Sequence, residues 1–337
     1  MLLLEPDLSQ CFDSSITLKN YPQASATMTP PRYAVRRRFG QHWLKDATIL
    51  DQIICAAKLT PEDRILEIGP GRGALTKRLL DSPADIIHAI ELDYDLANGL
   101  QRRFGGNPRF SLREGDALSV PLELPDGDSA TKVVANIPYN ITSPLLERLL
   151  GKFSSPPGTV FRRLVLLIQR EVAERIRAQP GSSSFNAMSV RMQLTTRCFS
   201  VCVVPSHCFQ PPPKVQSEVI VLEPLPRAQR PNSNLALRVD YLLHKAFQTR
   251  RKMLRNTLLG IAPIEELHEL ANRVGICLNQ RPQELEPKTW LSLAEELTKE
   301  KTHCARNPET RSKLLIAEVL QRMVDVGNCT TLIMIMV

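Results

Sequence analysis

A strand that runs straight into three alternating glycines and then into a helix constrains this chain more than any other stretch. In Arg64-Ile65-Leu66-Glu67-Ile68-Gly69-Pro70-Gly71-Arg72-Gly73-Ala74-Leu75-Thr76 the apolar run reads as a buried strand, and Leu75, Leu79 and Leu80 carry a helical stripe. Glycines let the backbone approach a ligand closely, and the following helix offers N–H groups that have no partner inside the helix. The pattern predicts a nucleotide-type pocket. Its spacing is Gly-x-Gly-x-Gly, so the third glycine comes one residue earlier than in a dinucleotide fingerprint, which argues against a nicotinamide cofactor.

Three further strand ends point the same way. Ile86-Ile87-His88-Ala89-Ile90 ends at Glu91, an acid able to take both hydroxyls of a ribose. Arg109 to Leu112 is followed by Glu114-Gly115-Asp116-Ala117, placing a carboxylate where it can accept from an adenine amine. Lys132-Val133-Val134-Ala135 leads into Asn136-Ile137-Pro138-Tyr139, a polar acceptor, a rigid proline and an aromatic face set together. Such a group suits a planar amine: the Asn oxygen and a nearby main-chain carbonyl accept from the NH2 while the Tyr ring stacks on the heterocycle. Taken singly, each acid reads as a solvated strand-end residue, and the tetrapeptide as a turn whose proline stops the strand. At the C-terminal ends of successive parallel strands, they mark the crevice in which such folds bind ligands.

The order Phe39-Gly40-Gln41-His42-Trp43-Leu44, Glu67-Ile68-Gly69-Pro70-Gly71, Glu91, Gly115-Asp116, Asn136-Ile137-Pro138-Tyr139, Gln169-Arg170-Glu171-Val172-Ala173 and Phe209-Gln210-Pro211-Pro212-Pro213-Lys214-Val215 resembles the ribosomal RNA adenine dimethyltransferase family of the KsgA/RsmA type. The resemblance runs from Arg36 to Glu296 and is similar in wording to cyanobacterial members. It implies an α/β fold, a Rossmann-like class I methyltransferase sheet with helices on both faces, plus a small C-terminal all-helical domain. It implies S-adenosyl-L-methionine as cofactor, held by His42, Leu44, Gly69, Gly71, Glu91, Asp116 and Asn136, and catalysis by Asn136, Pro138, Tyr139 and Phe209, with Tyr139 and Phe209 holding the base between their faces, a plain core position being the alternative for Phe209. No metal is expected. The family's first motif commonly carries Asn where this chain has His42. The implied reaction is dimethylation of two adjacent adenosines near the 3′ end of small-subunit ribosomal RNA, on the RNA or an immature subunit, by a monomer. A role in small-subunit biogenesis and a bacterial cytoplasm go with it, a plastid being the alternative location.

With 337 residues and 43% apolar content the chain is long enough for two domains with packed cores. Its net charge of +8 fits a polyanionic partner, and the distribution says more than the total. Between Arg227 and Arg255 eight Lys or Arg residues, Arg250 and Arg251 among them, stand against one acid, Asp240. Leu235, Val239, Leu242, Leu243, Ala246, Phe247 and Leu254 follow helical spacing, and Arg238, Lys245 and Lys252 recur every seventh residue on another face. A solvated charged face has the same pattern; the shortage of acids favours phosphate contact by Arg238, Lys245, Arg251 and Lys252, with Lys214 either a further contact or an ordinary surface lysine.

Eight cysteines without a signal-peptide pattern suggest free thiols in a reducing compartment. Cys198, Cys202, His207 and Cys208 cluster as zinc ligands do, but Cys198, Ser200, Cys202 and Val204 alternate along a strand-like run instead of forming paired metal knuckles. No apolar segment approaches the roughly 20 residues needed to cross a membrane. The expected organisation is a disordered arm at 1–31, a methyltransferase domain at 32–226, a small helical RNA-binding domain at 227–299 and an atypical tail at 300–337. Three rival functions fit the sequence less well. An oxidoreductase leaves Asn136-Ile137-Pro138-Tyr139 unexplained, a DNA adenine methyltransferase has a second proline where Ile137 stands, and a non-catalytic ribosome assembly factor of the same fold has no need of Gly69, Gly71, Glu91, Asp116 and Asn136 together.

Overall fold

The computed structural model describes residues 42–155, 161–249 and 251–304. The expected arm at 1–31, the motif residues Phe39, Gly40 and Gln41, the basic Arg250 and the tail beyond 304 lie outside the described residues.

A short strand β1 (Trp43–Leu44) precedes helix α1 (Ala47–Ala57), whose first turn is capped by Asp46 Oδ1 accepting from the Ile49 N–H at 3.1 Å. Strands and helices then alternate: β2 (Arg64–Ile68), α2 (Ala74–Asp81), β3 (Ile86–Glu91), α3 (Tyr94–Phe104), β4 (Phe110–Glu114), β5 (Lys132–Asn136), α4 (Thr142–Leu150), β6 (Arg163–Gln169) and α5 (Arg170–Arg177). After them come α6 (Ala187–Thr195), β7 (Thr196–Val204), β8 (Phe209–Gln210) and β9 (Ser217–Pro224). Helices α7 (Ser233–Phe247), α8 (Leu254–Thr257), α9 (Ile264–Val274) and α10 (Pro287–Cys304) close the described chain.

Seven strands form one sheet in the order β4-β3-β2-β5-β6-β9-β7. The first five are parallel, while β9 runs antiparallel to both β6 and β7. Chain direction across the sheet reverses between β2 and β5, the switch point at which open α/β sheets bind ligands. Ile65, Leu66 and Ile68 in β2, and Val133, Val134 and Ala135 in β5, are all buried. Consecutive strand residues point to opposite faces, so both faces are covered, as expected of a parallel sheet flanked by helices. A separate two-stranded ribbon pairs β1 with β8, Leu44 opposite Phe209.

Two compact units divide the chain. Among the described residues, the sheet unit takes 42–152, 161–177 and 196–225; the second takes Phe153–Ser155, Ala178–Thr195, 226–249 and 251–304. The sequence-based boundary puts 178–195 in the first domain, yet Phe185, Val190 and Leu194 bury their side chains with Leu243, Leu270 and Trp290 in the core of the helical unit. The apolar burial of α6 decides its membership. Expected as one basic face with Arg238 and Lys245, Lys252 is set apart, because α7 stops at Phe247 and Lys252 lies in the turn beyond, its N–H bonded to the Thr249 carbonyl. Among the described residues, no helix is long and apolar enough to cross a membrane, and no group of three or more His, Cys, Asp or Glu is placed to hold a metal ion.

Candidate active site

The C-terminal ends of β2, β3, β4 and β5 surround a cavity of about 230 Å³ lined by Gly69, Gly71, Glu91, Asp116, Asn136, Pro138 and Tyr139, among others. Local conformation explains the glycines. Gly71 has φ +58°, and a Cβ there would lie 3.1 Å from Trp43 Cδ1; at Gly73, φ +76°, it would lie 2.6 Å from Phe104 Cε2. A side chain at either position would strain the backbone and press on an aromatic ring. Helix α2 has Gly73 as its N-cap and no side-chain cap, so its first N–H groups face the loop.

Glu91 closes the end of β3. Its Oε2 accepts from the Gly71 N–H at 3.0 Å and its Oε1 from the Asp93 N–H at 2.9 Å. Burial raises its pKa, and these two backbone donors pull the other way. Each oxygen keeps a second lone pair for a hydroxyl. Asp116 Oδ1 accepts from the Leu118 N–H at 2.9 Å. Asn136 Nδ2 donates to the His42 carbonyl at 3.2 Å, which fixes the sense of the amide and leaves Oδ1 as the acceptor.

Beside this space lies a second cavity of about 220 Å³, lined by Leu44, Glu67, Gly69, Gly71, Arg72 and Asn136 among others. Glu67 is the residue the sequence reading passed over. It is 1% exposed, and neither carboxylate oxygen has a hydrogen-bond partner. Burial pushes its pKa up to about 8; Thr76 pulls down without forming a hydrogen bond of ordinary geometry, and the nearby Glu91 carboxylate raises it further. The one signal in the sequence was an acid inside an otherwise apolar strand, at the same parity as Ile65. The Arg72 guanidinium sits 3.8 Å above the Trp43 ring at the mouth of this space.

Most expected site residues converge here. His42, Gly69, Gly71, Glu91, Asp116, Asn136, Pro138 and Tyr139 line the first cavity, and Leu44 lines the second with its side chain largely in the core. Phe209 does not converge. Expected as the second face of a base sandwich, it is 1% exposed in the hydrophobic core, because pairing of β8 with β1 turns its ring inward. His42 takes an aromatic position instead, its ring stacked on Tyr139 with centroids 5.5 Å apart and planes at 28°. Lys214, Arg238, Arg251 and Lys252 are exposed and Lys245 is half-buried, none of them lining either cavity.

Comparison with known proteins decides the family. The family model for ribosomal RNA adenine dimethylase matches residues 32–299. The chain belongs to the ribosomal RNA adenine dimethylase family. Among its relatives, a ribosomal RNA small subunit methyltransferase A from Parasynechococcus marenigrum is 62% identical over 265 residues, 79% of this chain and 88% of the relative. One from a Synechococcus species is 63% identical over 262 residues, 78% of this chain and 94% of the relative. A solved dimethyladenosine transferase from Plasmodium falciparum superposes with a TM-score of 0.67 at 29% identity, covering 77% of this chain and 98% of that one. The chain is a methyl-transferring enzyme, and its Rossmann-like sheet with a C-terminal helical region matches the solved dimethyladenosine transferase.

Proposed function

We propose that this chain binds S-adenosyl-L-methionine across the two adjoining cavities and dimethylates the N6 amines of two adjacent adenosines near the 3′ end of small-subunit ribosomal RNA. The observation that carries the reading is the placement of Glu67, Glu91, Asp116 and Asn136 around one crevice at the sheet's switch point. A buried carboxylate without a partner fits the cofactor's ammonium group, and Glu91 with lone pairs to spare fits ribose hydroxyls. Asp116, with one oxygen held by Leu118, fits an adenine amine. The close approach of Gly71 to Trp43 is a cradle that any Cβ would disturb.

The cofactor supplies an electrophilic methyl group with its leaving group already attached, so the protein's part is alignment and exclusion of water. Asn136 Oδ1 and the carbonyl of Ile137 or Pro138 accept from the target amine. They favour the positive charge that builds on nitrogen as its lone pair leaves the ring, a preorganised electrostatic contribution. Tyr139 stacks on the flipped base, worth about 1 to 3 kcal/mol. No strong base is required. In the helical unit Arg238, Lys245, Arg251 and Lys252 offer cations to phosphate, and the one acid of that basic stretch, Asp240, is already paired with Arg191 at 2.6 Å. Lys214 is a further candidate on the sheet unit. Cyanobacterial relatives and the free cysteines among the described residues support a cytoplasmic setting and a part in small-subunit maturation, and a monomer goes with the same reading.

Methyl incorporation into immature small subunits, followed in single turnover at saturating cofactor, tests the reading. Asn136→Ala should lower the rate about 100-fold or more, the loss typical of one transition-state acceptor or donor, with the fold intact. A near-normal rate would remove the mechanism. An unmethylated substrate with wild-type protein would favour the assembly-factor alternative.

A further inference from the structure

Tyr139 is held at two points that this chemistry does not by itself require. Its hydroxyl lies 2.5 Å from Ser217 Oγ, and Ser217 is fully buried at the start of β9, opposite Gln169 of β6. Its ring rests on His42, whose Nδ1 is 2.9 Å from the Pro211 carbonyl. Tyr139 itself begins a short 3₁₀ turn, Tyr139–Ile141, with no side-chain cap, and its half-buried ring lines the first cavity. Burial raises the phenol's pKa, so the O–H stays protonated and available to Ser217. Ordering an aromatic ring before its partner arrives removes an entropy cost from stacking and sharpens the geometry of the stacked base.

We propose that Ser217 is a positioning residue for methyl transfer, its hydroxyl fixing the edge of Tyr139 while His42 fixes the face, so that the ring is set before an adenine enters. The proposal rests on the function given above. Pro211 and Ser217 belong to one segment, the turn after β8 and the strand it leads into, which therefore serves the site through Tyr139 although Phe209 at its head is buried in the core.

A double-mutant cycle on the full chain separates positioning from packing. Ser217→Ala and Tyr139→Phe remove the same hydrogen bond from opposite sides. Each should lower the single-turnover methylation rate about tenfold, the equivalent of one hydrogen bond, with calorimetric affinity for S-adenosyl-L-methionine unchanged. The double variant should be no slower than either single one, and Ser217→Thr, which keeps the hydroxyl, should recover most of the rate. Independent, multiplying losses in the double variant would mean that Ser217 acts by packing and would overturn the proposal. Should Ser217→Ala fail to fold, Tyr139→Phe decides: a rate within about twofold of wild type overturns it, a tenfold loss supports it. An inactive wild type overturns the function and the proposal together; an active wild type with an unaffected Tyr139→Phe overturns the proposal alone.

Discussion

The two ends of β2 each bury a carboxylate to the same degree, Asp63 and Glu67, and treat them in opposite ways, while Glu91 on the neighbouring strand is held by two backbone donors. At the N-terminal end Asp63, 1% exposed, accepts from the Thr60 N–H at 2.8 Å, from Thr131 Oγ1 at 2.9 Å and from Lys132 Nζ at 2.6 Å, and Lys132 also donates to the Lys58 carbonyl. Burial alone would raise the Asp63 pKa, but Lys132, the Thr60 amide and Thr131 outweigh it and leave it lowered. Toward the C-terminal end Glu67, equally buried, has no hydrogen bond, and its pKa rises to about 8. An unpaired buried acid costs stability unless something later fills the place of its missing partner. The satisfied end holds the sheet together; the unsatisfied end is where a ligand gains most.

Breaking the satisfied end should give the largest effect. Lys132→Ala leaves the Asp63 carboxylate buried without its cation and should destabilise the protein by about 3 kcal/mol or more, read by denaturant unfolding. Cofactor affinity of the folded fraction should hardly change. The sign with pH is fixed by the lowered Asp63 value: its contribution is present above the ordinary carboxylate value of 3.8 and is lost as pH falls through the folded one, so the gap between wild type and Lys132→Ala should narrow in acid. A gap that widened in acid would mean the pair is not what stabilises this end.

On the other end the losses should fall on binding. Glu91→Ala removes the acceptor for the Gly71 and Asp93 amides and for the proposed ribose hydroxyls. Calorimetric affinity for S-adenosyl-L-methionine should drop roughly 10- to 100-fold, the scale of one or two charged hydrogen bonds. Unchanged affinity in a folded Glu91→Ala protein would break the contrast between the two ends.

Much of the unsatisfied end was legible in the chain because its parts sit at strand ends with unusual neighbours. The alternating glycines are followed by a helix, Glu91 ends one apolar run, and Asn136-Ile137-Pro138-Tyr139 ends another. Glu67 was missed because it lies inside an apolar run, where only the identity of the residue, and no break in pattern, marks it. Phe209 was misplaced because sequence shows a proline-rich turn after it but not the pairing of β8 with β1 that turns the ring inward. Helix α6 escaped because its apolar residues, Val190, Met192 and Leu194, do not make a one-sided helical stripe, and its burial in the helical unit comes from distant residues such as Leu243 and Trp290. The basic face was read as one helix because Leu254 continues the apolar period past the real end at Phe247.

Glu67→Gln tests the contrast most directly, since it keeps the shape and removes the charge. The raised pKa means that the stability of the protonated carboxyl is full below its ordinary value of 4.5 and is lost as pH rises through about 8. At about pH 9, thermal melting with and without saturating S-adenosyl-L-methionine should therefore show the Gln variant melting above wild type when free and gaining less from the cofactor. A Gln variant that melts below wild type when free, and gains as much from the cofactor, would contradict the account.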